Sequence, residues 1–171
     1  MWGFQLWVNL PAKDKMRPPR YQDIPPERIP EVRLADGVRV RIVAGESGGV
    51  RGPVEGIATQ PLYLDVSLAP GARFEHPVPA GHTAFAYVFE GEGEFGVTDG
   101  RAGRKLAPGS LAVLGEGSAV AVVTDGSPVR FLLLAAKPLR EPIARHGPFV
   151  MNTRQEIMQA IRDLEDGTFL D

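Results

Sequence analysis

The sequence has no cysteine, which excludes disulfides, thiolate metal sites and thiol nucleophiles and fits a cytoplasmic protein. It has no excess of charge of one sign. Nineteen Lys and Arg against 21 Asp and Glu leave a formal net charge of -2 at pH 7. Phosphate backbones are bound by clustered basic faces, so direct nucleic-acid binding is not expected. No apolar run approaches the length of a membrane span, and residues 1–10 are too short and too polar for a signal peptide. The glycine-rich stretch 45–56 carries no G-x-x-x-x-G-K-S/T phosphate signature, and Ser47, Ser67, Ser110, Ser118 and Ser127 stand in no G-x-S-x-G elbow.

What is present is an ordinary globular composition, 43% hydrophobic and 23% charged, in 171 residues. That length suits one domain with its own core. Phe4, Leu6 and Val8 alternate with Gln5, Trp7 and Asn9, which predicts a strand over 4–8. No turn or partner precedes it, so the run reads like the middle of a longer protein and needs something to pair with. Residues 11–35 contain Pro11, Pro18, Pro19, Pro25, Pro26 and Pro30. They are expected to form an extended connector, mostly outside any sheet. Lys13, Lys15, Arg17 and Arg20 cluster there around Asp14. A solvated face is the expectation, with contact to a phosphate or an acidic partner as the alternative.

Beyond the connector the period is two. Val38, Val40 and Ile42 alternate with arginines, and Leu62, Leu64, Val66 and Leu68 alternate with Tyr63, Asp65 and Ser67. Further strands are expected over 84–90, 94–98, 111–114, 119–124 and 129–135. Gly91-Glu92-Gly93 between the first two reads as a hairpin, and Pro70-Gly71, Asp99-Gly100, Pro108-Gly109 and Asp125-Gly126 read as turns. Short strands at this spacing predict an antiparallel sandwich or barrel. Tyr63, Phe85, Tyr87 and Phe89 are expected to be core or cross-strand pairs, in an interior able to admit a small apolar ligand. Near the end the period changes. Thr153-Arg154-Gln155-Glu156 is a capping box, and Ile157, Ala160, Ile161 and Leu164 share one helical face before Gly167. This predicts one helix at about 153–166 that closes the barrel, or else a docking surface.

Residues 3–16 with Pro18-Pro19-Arg20-Tyr21-Gln22, the phrase Tyr87-Val88-Phe89-Glu90-Gly91-Glu92-Gly93, Ala80-Gly81-His82 and residues 147–154 together resemble the pirin family of bicupins. The resemblance covers essentially the whole chain and maps it to the C-terminal cupin, with the closing strand of the N-terminal cupin in front. It implies an all-β fold, a cupin-type double-stranded antiparallel β-barrel (jelly roll) with one C-terminal α-helix. Residues 1–35 would be the inter-domain strand and proline-rich connector, and 36–171 the C-terminal cupin.

In that family the N-terminal half holds a metal, typically iron, through His-x-His on one strand and His-x-Glu on another. Side chains at i and i+2 share a strand face, so each pair can reach one ion. Matched on Tyr87–Gly91, the first pair falls on Pro77 and Pro79 here. Sliding by one residue gives His76 and Val78. The second pair falls on Val120 and Val122. The resemblance therefore implies a metal-free half, with no cofactor expected in this chain. The residual candidates for a metal are His76 and His82 converging with Glu75 or Glu90. His146 reads as a loop residue.

The expected function is a pirin-like C-terminal cupin module, metal-free and non-catalytic alone, with a structural or regulatory role. It would act by self-association through the 4–8 strand or the 157–164 helix face, or with a protein partner. The alternative is a pirin-type quercetin 2,3-dioxygenase, which would need an N-terminal half or an unforeseen metal site.

Overall fold

Strand formation in this chain follows the alternation of apolar and polar side chains, and its consequence is two antiparallel sheets with their apolar faces turned inward. The computed structural model describes residues 3–98 and 100–169. Its chain contacts divide it into two compact units, one made of Ile24–Pro138 and the other of the segments up to Asp23 and from Leu139 onward.

The Ile24–Pro138 unit contains strands β1 (Glu31–Ala35), β2 (Val38–Ala44), β3 (Glu46–Ser47), β4 (Val50–Arg51), β5 (Leu62–Leu68) and β6 (Arg73–Pro77). It continues with β7 (Thr83–Gly91), β8 (Gly93–Phe95), β9 (Arg104–Leu106), β10 (Leu111–Val113), β11 (Ala119–Val123) and β12 (Val129–Ala136). One sheet has the order β1-β2-β5-β12-β7-β10, and the other β6-β11-β8-β9. The strand pairs within both are antiparallel. In β5 burial alternates without a break, with Leu62, Leu64, Val66 and Leu68 inside. Residues of both sheets join in one buried cluster. Burying a side chain of this size stabilises by about 1.5–3 kcal/mol.

Three phenylalanines lock the sheets together. Phe131 on β12 meets Phe74 on β6 at 5.9 Å and Phe95 on β8 at 4.9 Å between ring centroids, both edge to face. Of the two expectations for Tyr63, Phe85, Tyr87 and Phe89, core or cross-strand pairing, the core one is not met. In β7 the inward residues are Ala84, Ala86 and Val88, so Phe85, Tyr87 and Phe89 face outward and are half-buried. Tyr63 is outward in the same way on β5.

Gly91-Glu92-Gly93 is a corner and not a hairpin, because β7 belongs to the first sheet and β8 to the second. A side chain at Gly91, where φ is +65°, would run into the Pro128 carbonyl oxygen. Only glycine permits the backbone to turn there. Just before the corner, Arg130 pairs with Glu90 while Phe131 pairs with Val88, so Phe89 is the extra residue of a bulge. Bulges increase local twist, which helps the chain leave one sheet for the other. Thr98 and Arg101 bridge around the Asp99-Gly100 turn, of which Asp99 lies outside the described residues.

Two further segments contain short strands. The end of the proline-rich stretch is strand β1, because residues 31–35 follow the last proline and can complete a ladder with β2. The glycine-rich loop holds a two-residue hairpin between β3 and β4. Gly48 and Gly49 both have positive φ, +57° and +77°, as such a turn requires.

In the other unit, β13 (Ala144–His146) and β14 (Phe149–Met151) form a ribbon, followed by α1 (Arg154–Glu165). The capping box forms. The Thr153 hydroxyl accepts from the Glu156 amide at 3.2 Å, and the Glu156 carboxylate accepts from the Thr153 amide at 2.7 Å. The Thr153 hydroxyl, which also donates to the carboxylate at 3.0 Å, and the Thr153 amide hold the Glu156 carboxyl below the usual carboxylate range. The helix packs on the ribbon of its own unit through buried Ile157 and Ala160, while Leu164 is 56% exposed. Residues 4–8 form no strand. No ladder among the described residues includes them, and alternation alone, without a second segment in register, does not make a strand. Trp7 instead lies against the Arg145 guanidinium at 5.3 Å. Lys15 is not a solvated cation. Its ammonium donates to Asn9 Oδ1 at 2.7 Å and the Val150 carbonyl at 2.9 Å, and burial lowers its pKa. Among the described residues no helix is long and apolar enough to cross a membrane.

Candidate functional site

The barrel interior is where paired i, i+2 side chains from two strands can meet, so it is the candidate site. Strand β6 buries every second residue. Phe74 and His76 point in, Arg73, Glu75 and Pro77 point out, and the alternation continues to buried Val78. This fixes the register that the sequence leaves open: His76 and Val78 face the interior, Pro77 and Pro79 do not. On β11, Val120 lies directly opposite His76 and Val122 opposite Phe74. Both valines are buried.

His76 is 5% exposed. Its ring stacks on Phe74, with centroids 6.0 Å apart and planes 21° from parallel. Nδ1 lies 2.8 Å from the Pro77 carbonyl oxygen, so Nδ1 carries the hydrogen and donates it. Burial pushes the imidazole pKa below its usual value, opposed by the backbone carbonyls of Pro77 and Glu46. The neutral ring is therefore the packed form at neutral pH.

The other candidates lie elsewhere. His82 is half-buried in the turn between β6 and β7, where its amide donates to the Pro79 carbonyl at 3.1 Å. Glu75 is outside the barrel, 3.3 Å from Arg73. Glu90 is on the outer face of the six-stranded sheet, 3.5 Å from Arg130. His146 is exposed on β13. Among the described residues no group of three or more His, Asp or Glu is arranged to hold a metal ion. The donor set of the interior does not fit one either. Valine offers no lone pair, and only His76 of the four inward positions carries a ligating atom.

Sequence reasoning passed over the outer face of the same sheet. There Arg130 donates from Nε to Asp65 Oδ1 at 2.9 Å and from a terminal nitrogen to Oδ2 at 2.7 Å. Its guanidinium also lies 5.0 Å from the Phe89 ring centre. The forked bond fixes the arginine and raises its pKa further. The signal was present in the polar half of each alternating strand, but which polar residues meet depends on register.

Two facing antiparallel sheets closed over a shared apolar interior define a barrel of the cupin class. The family model for the pirin C-terminal cupin domain matches residues 63–170, and the chain belongs to the pirin family. It is 46% identical over 165 residues to pirin from Homo sapiens, covering 96% of this chain and 56% of that protein. A pirin-like protein from Solanum lycopersicum is 44% identical over 166 residues, covering 96% and 55%. A crystal structure of quercetin 2,3-dioxygenase from Acinetobacter baumannii superposes with a TM-score of 0.84 at 36% identity, covering 95% of this chain and 55% of that one. The chain thus spans a little more than half the length of these relatives.

Proposed function

We propose that this chain is a cupin domain without catalysis of its own, acting in the cytoplasm by association with a second copy or another protein. The observation that carries the reading is the replacement of metal-donor chemistry by packing at Val78, Val120 and Val122, all 7% exposed or less. An ion placed there would meet methyl groups on three sides and lose its hydration without replacement. The association half of the reading is supported by apolar groups in contact with water: Trp7 at 60% exposure, and Met158 and Leu164 on α1 at 48% and 56%. Elemental analysis after iron loading, run with flavonol turnover, tests the catalytic half. No stoichiometric metal and no turnover are expected, and iron-dependent turnover by this chain overturns the reading. Light scattering across a concentration series tests association. A species heavier than one chain that is lost in Trp7→Ser or Leu164→Glu supports it, and a strict monomer that captures no partner counts against it.

A second reading is favoured by one observation, the name of the Acinetobacter relative. In it this domain is part of a longer metal-dependent quercetin 2,3-dioxygenase whose chemistry resides in a segment that the alignment does not reach. Flavonol turnover that appears only when that segment is supplied would select it.

A further inference from the structure

The outer face of the six-stranded sheet carries a groove of about 1000 Å³. Two adjacent rows of side chains cross it, and they differ in charge order. In one row Glu31 on β1 stands opposite Arg41 on β2, which stands opposite Asp65 on β5. Opposite charges alternate, as cross-strand pairing favours. The next row reads Arg33, Arg39, Ser67, Arg130 across β1, β2, β5 and β12. Here two arginines face each other directly, an arrangement that costs stability when nothing lies between them.

The carboxylates of the groove do not relieve this. Both oxygens of Asp65 are taken by Arg130, and Glu90 lies 3.5 Å from the same guanidinium. Glu31 stands opposite Arg41, and Asp36 sits in the β1–β2 turn. Neither Arg33 nor Arg39 is in an ion pair among the described residues. Arg33 and Arg39 are both exposed.

Ser67 shapes the space between. Neighbouring strands are about 4.8 Å apart, so β2 and β12, on either side of β5, stand about 10 Å apart. Only a hydroxymethyl group rises from β5 between Arg39 and Arg130. That leaves room over the Ser67 hydroxyl for one tetrahedral oxyanion, which the long side chains of Arg39 and, from the next strand, Arg33 can reach. Arg130 is already immobilised by Asp65, so it serves as a fixed wall, and the two uncommitted arginines match a double negative charge.

We propose that this groove binds a small phosphate-class dianion through Arg33, Arg39 and Ser67. The anion converts a repulsive pair into two charge-assisted bonds. The site lies on the outer face of the sheet, away from the barrel interior.

The test is an amide NMR titration at low ionic strength with inorganic phosphate, and with acetate as the monoanion. Saturable shifts at residues 33, 39 and 67 are expected with phosphate and not with acetate. Arg39→Gln should weaken phosphate binding by on the order of tenfold or more, as loss of a charge-assisted bond does. Arg73→Gln, on the other sheet, should leave it unchanged. Thermal melting separates a binding role from a structural one. Without phosphate, Arg39→Gln should melt at the wild-type temperature or above it, because a like-charge pair is relieved. Phosphate should then raise the melting temperature of the wild type and not of the variant. Equal response to acetate, non-saturating shifts, shifts mapping elsewhere, or an Arg39→Gln variant that melts lower without ligand would each overturn the proposal.

Discussion

The inner and outer faces of the six-stranded sheet are made by the same strands, residue by residue in alternation, and they carry opposite chemistry. Inside, Val40, Leu64, Val88 and Phe131 exclude water completely. Outside, Arg39 is exposed to solvent, and Asp65 and Arg130 hydrogen-bond one another. Because the side-chain period of a strand is two, either face can change without disturbing the other. A barrel can therefore have valine at inner positions suited to metal ligands and still fold by the same strand pattern.

The same separation of faces holds in the four-stranded sheet, and it can be tested most directly by placing donors on that sheet's inner face. Val78→His, Val120→His and Val122→Glu together with native His76 would supply His-x-His and His-x-Glu on and beside the paired strands β6 and β11. Uptake of about one divalent ion per chain is expected by elemental analysis, since the four side chains share one focus. No uptake by the folded variant would mean that β6 and β11 do not present these positions to one another. Phe131→Ala comes next. It removes the ring that both Phe74 and Phe95 contact, and a loss of about 3–5 kcal/mol is expected in urea unfolding. On the outer face, Arg130→Ala should cost about 1–2 kcal/mol, between the values for exposed and buried ion pairs, because Asp65 is left mostly shielded without its partner.

The interior also has a pH signature. The folded-state pKa of His76 is depressed by burial, so the unfolded chain binds this proton more readily. Stability then falls as pH drops below about 6.5, the ordinary imidazole value, until the folded pKa is reached. In His76→Gln the difference in urea midpoint between pH 7.5 and pH 5.5 should be smaller than in the wild type. An unchanged difference would place the imidazole in water. The smallest effect is expected for Glu75→Gln, one residue away but on the outer side. Its ion pair with Arg73 is exposed on both partners, and a change within about 0.5 kcal/mol is expected in the same measurement.

Much of the barrel was legible because burial follows alternation. Leu62–Leu68 and Val38–Ala44 are strands for the reason their patterns give. The capping box at Thr153 was legible because it is local. What escaped depends on distant chain. Gly91-Glu92-Gly93 has the composition of a hairpin, and the group that makes it a corner is the carbonyl of Pro128. Residues 4–8 alternate like a strand, yet a strand is a relation between two segments. Which face the aromatics of β7 take was left open because hydrophobicity alone does not tell Phe85 from Ala86. For the candidate site, the choice between His76 and Pro77 as the inward residue was a one-residue ambiguity that only the pairing with β11 resolves. The facing arginines of β1 and β2 were invisible for the same reason, since register is not written in either strand separately.

The corner at Gly91 has a consequence for how this domain tolerates substitution. At a metal centre, saturation mutagenesis finds its intolerant positions among the ligands. Here Val78, Val120 and Val122 should each accept several apolar residues of similar volume, because space-filling is all that is asked of them. Gly91 combines left-handed backbone with a carbonyl where a side chain would begin, and should accept almost nothing. In a mutational map of the barrel the most restricted position would be one with no side chain, at the fold between two sheets.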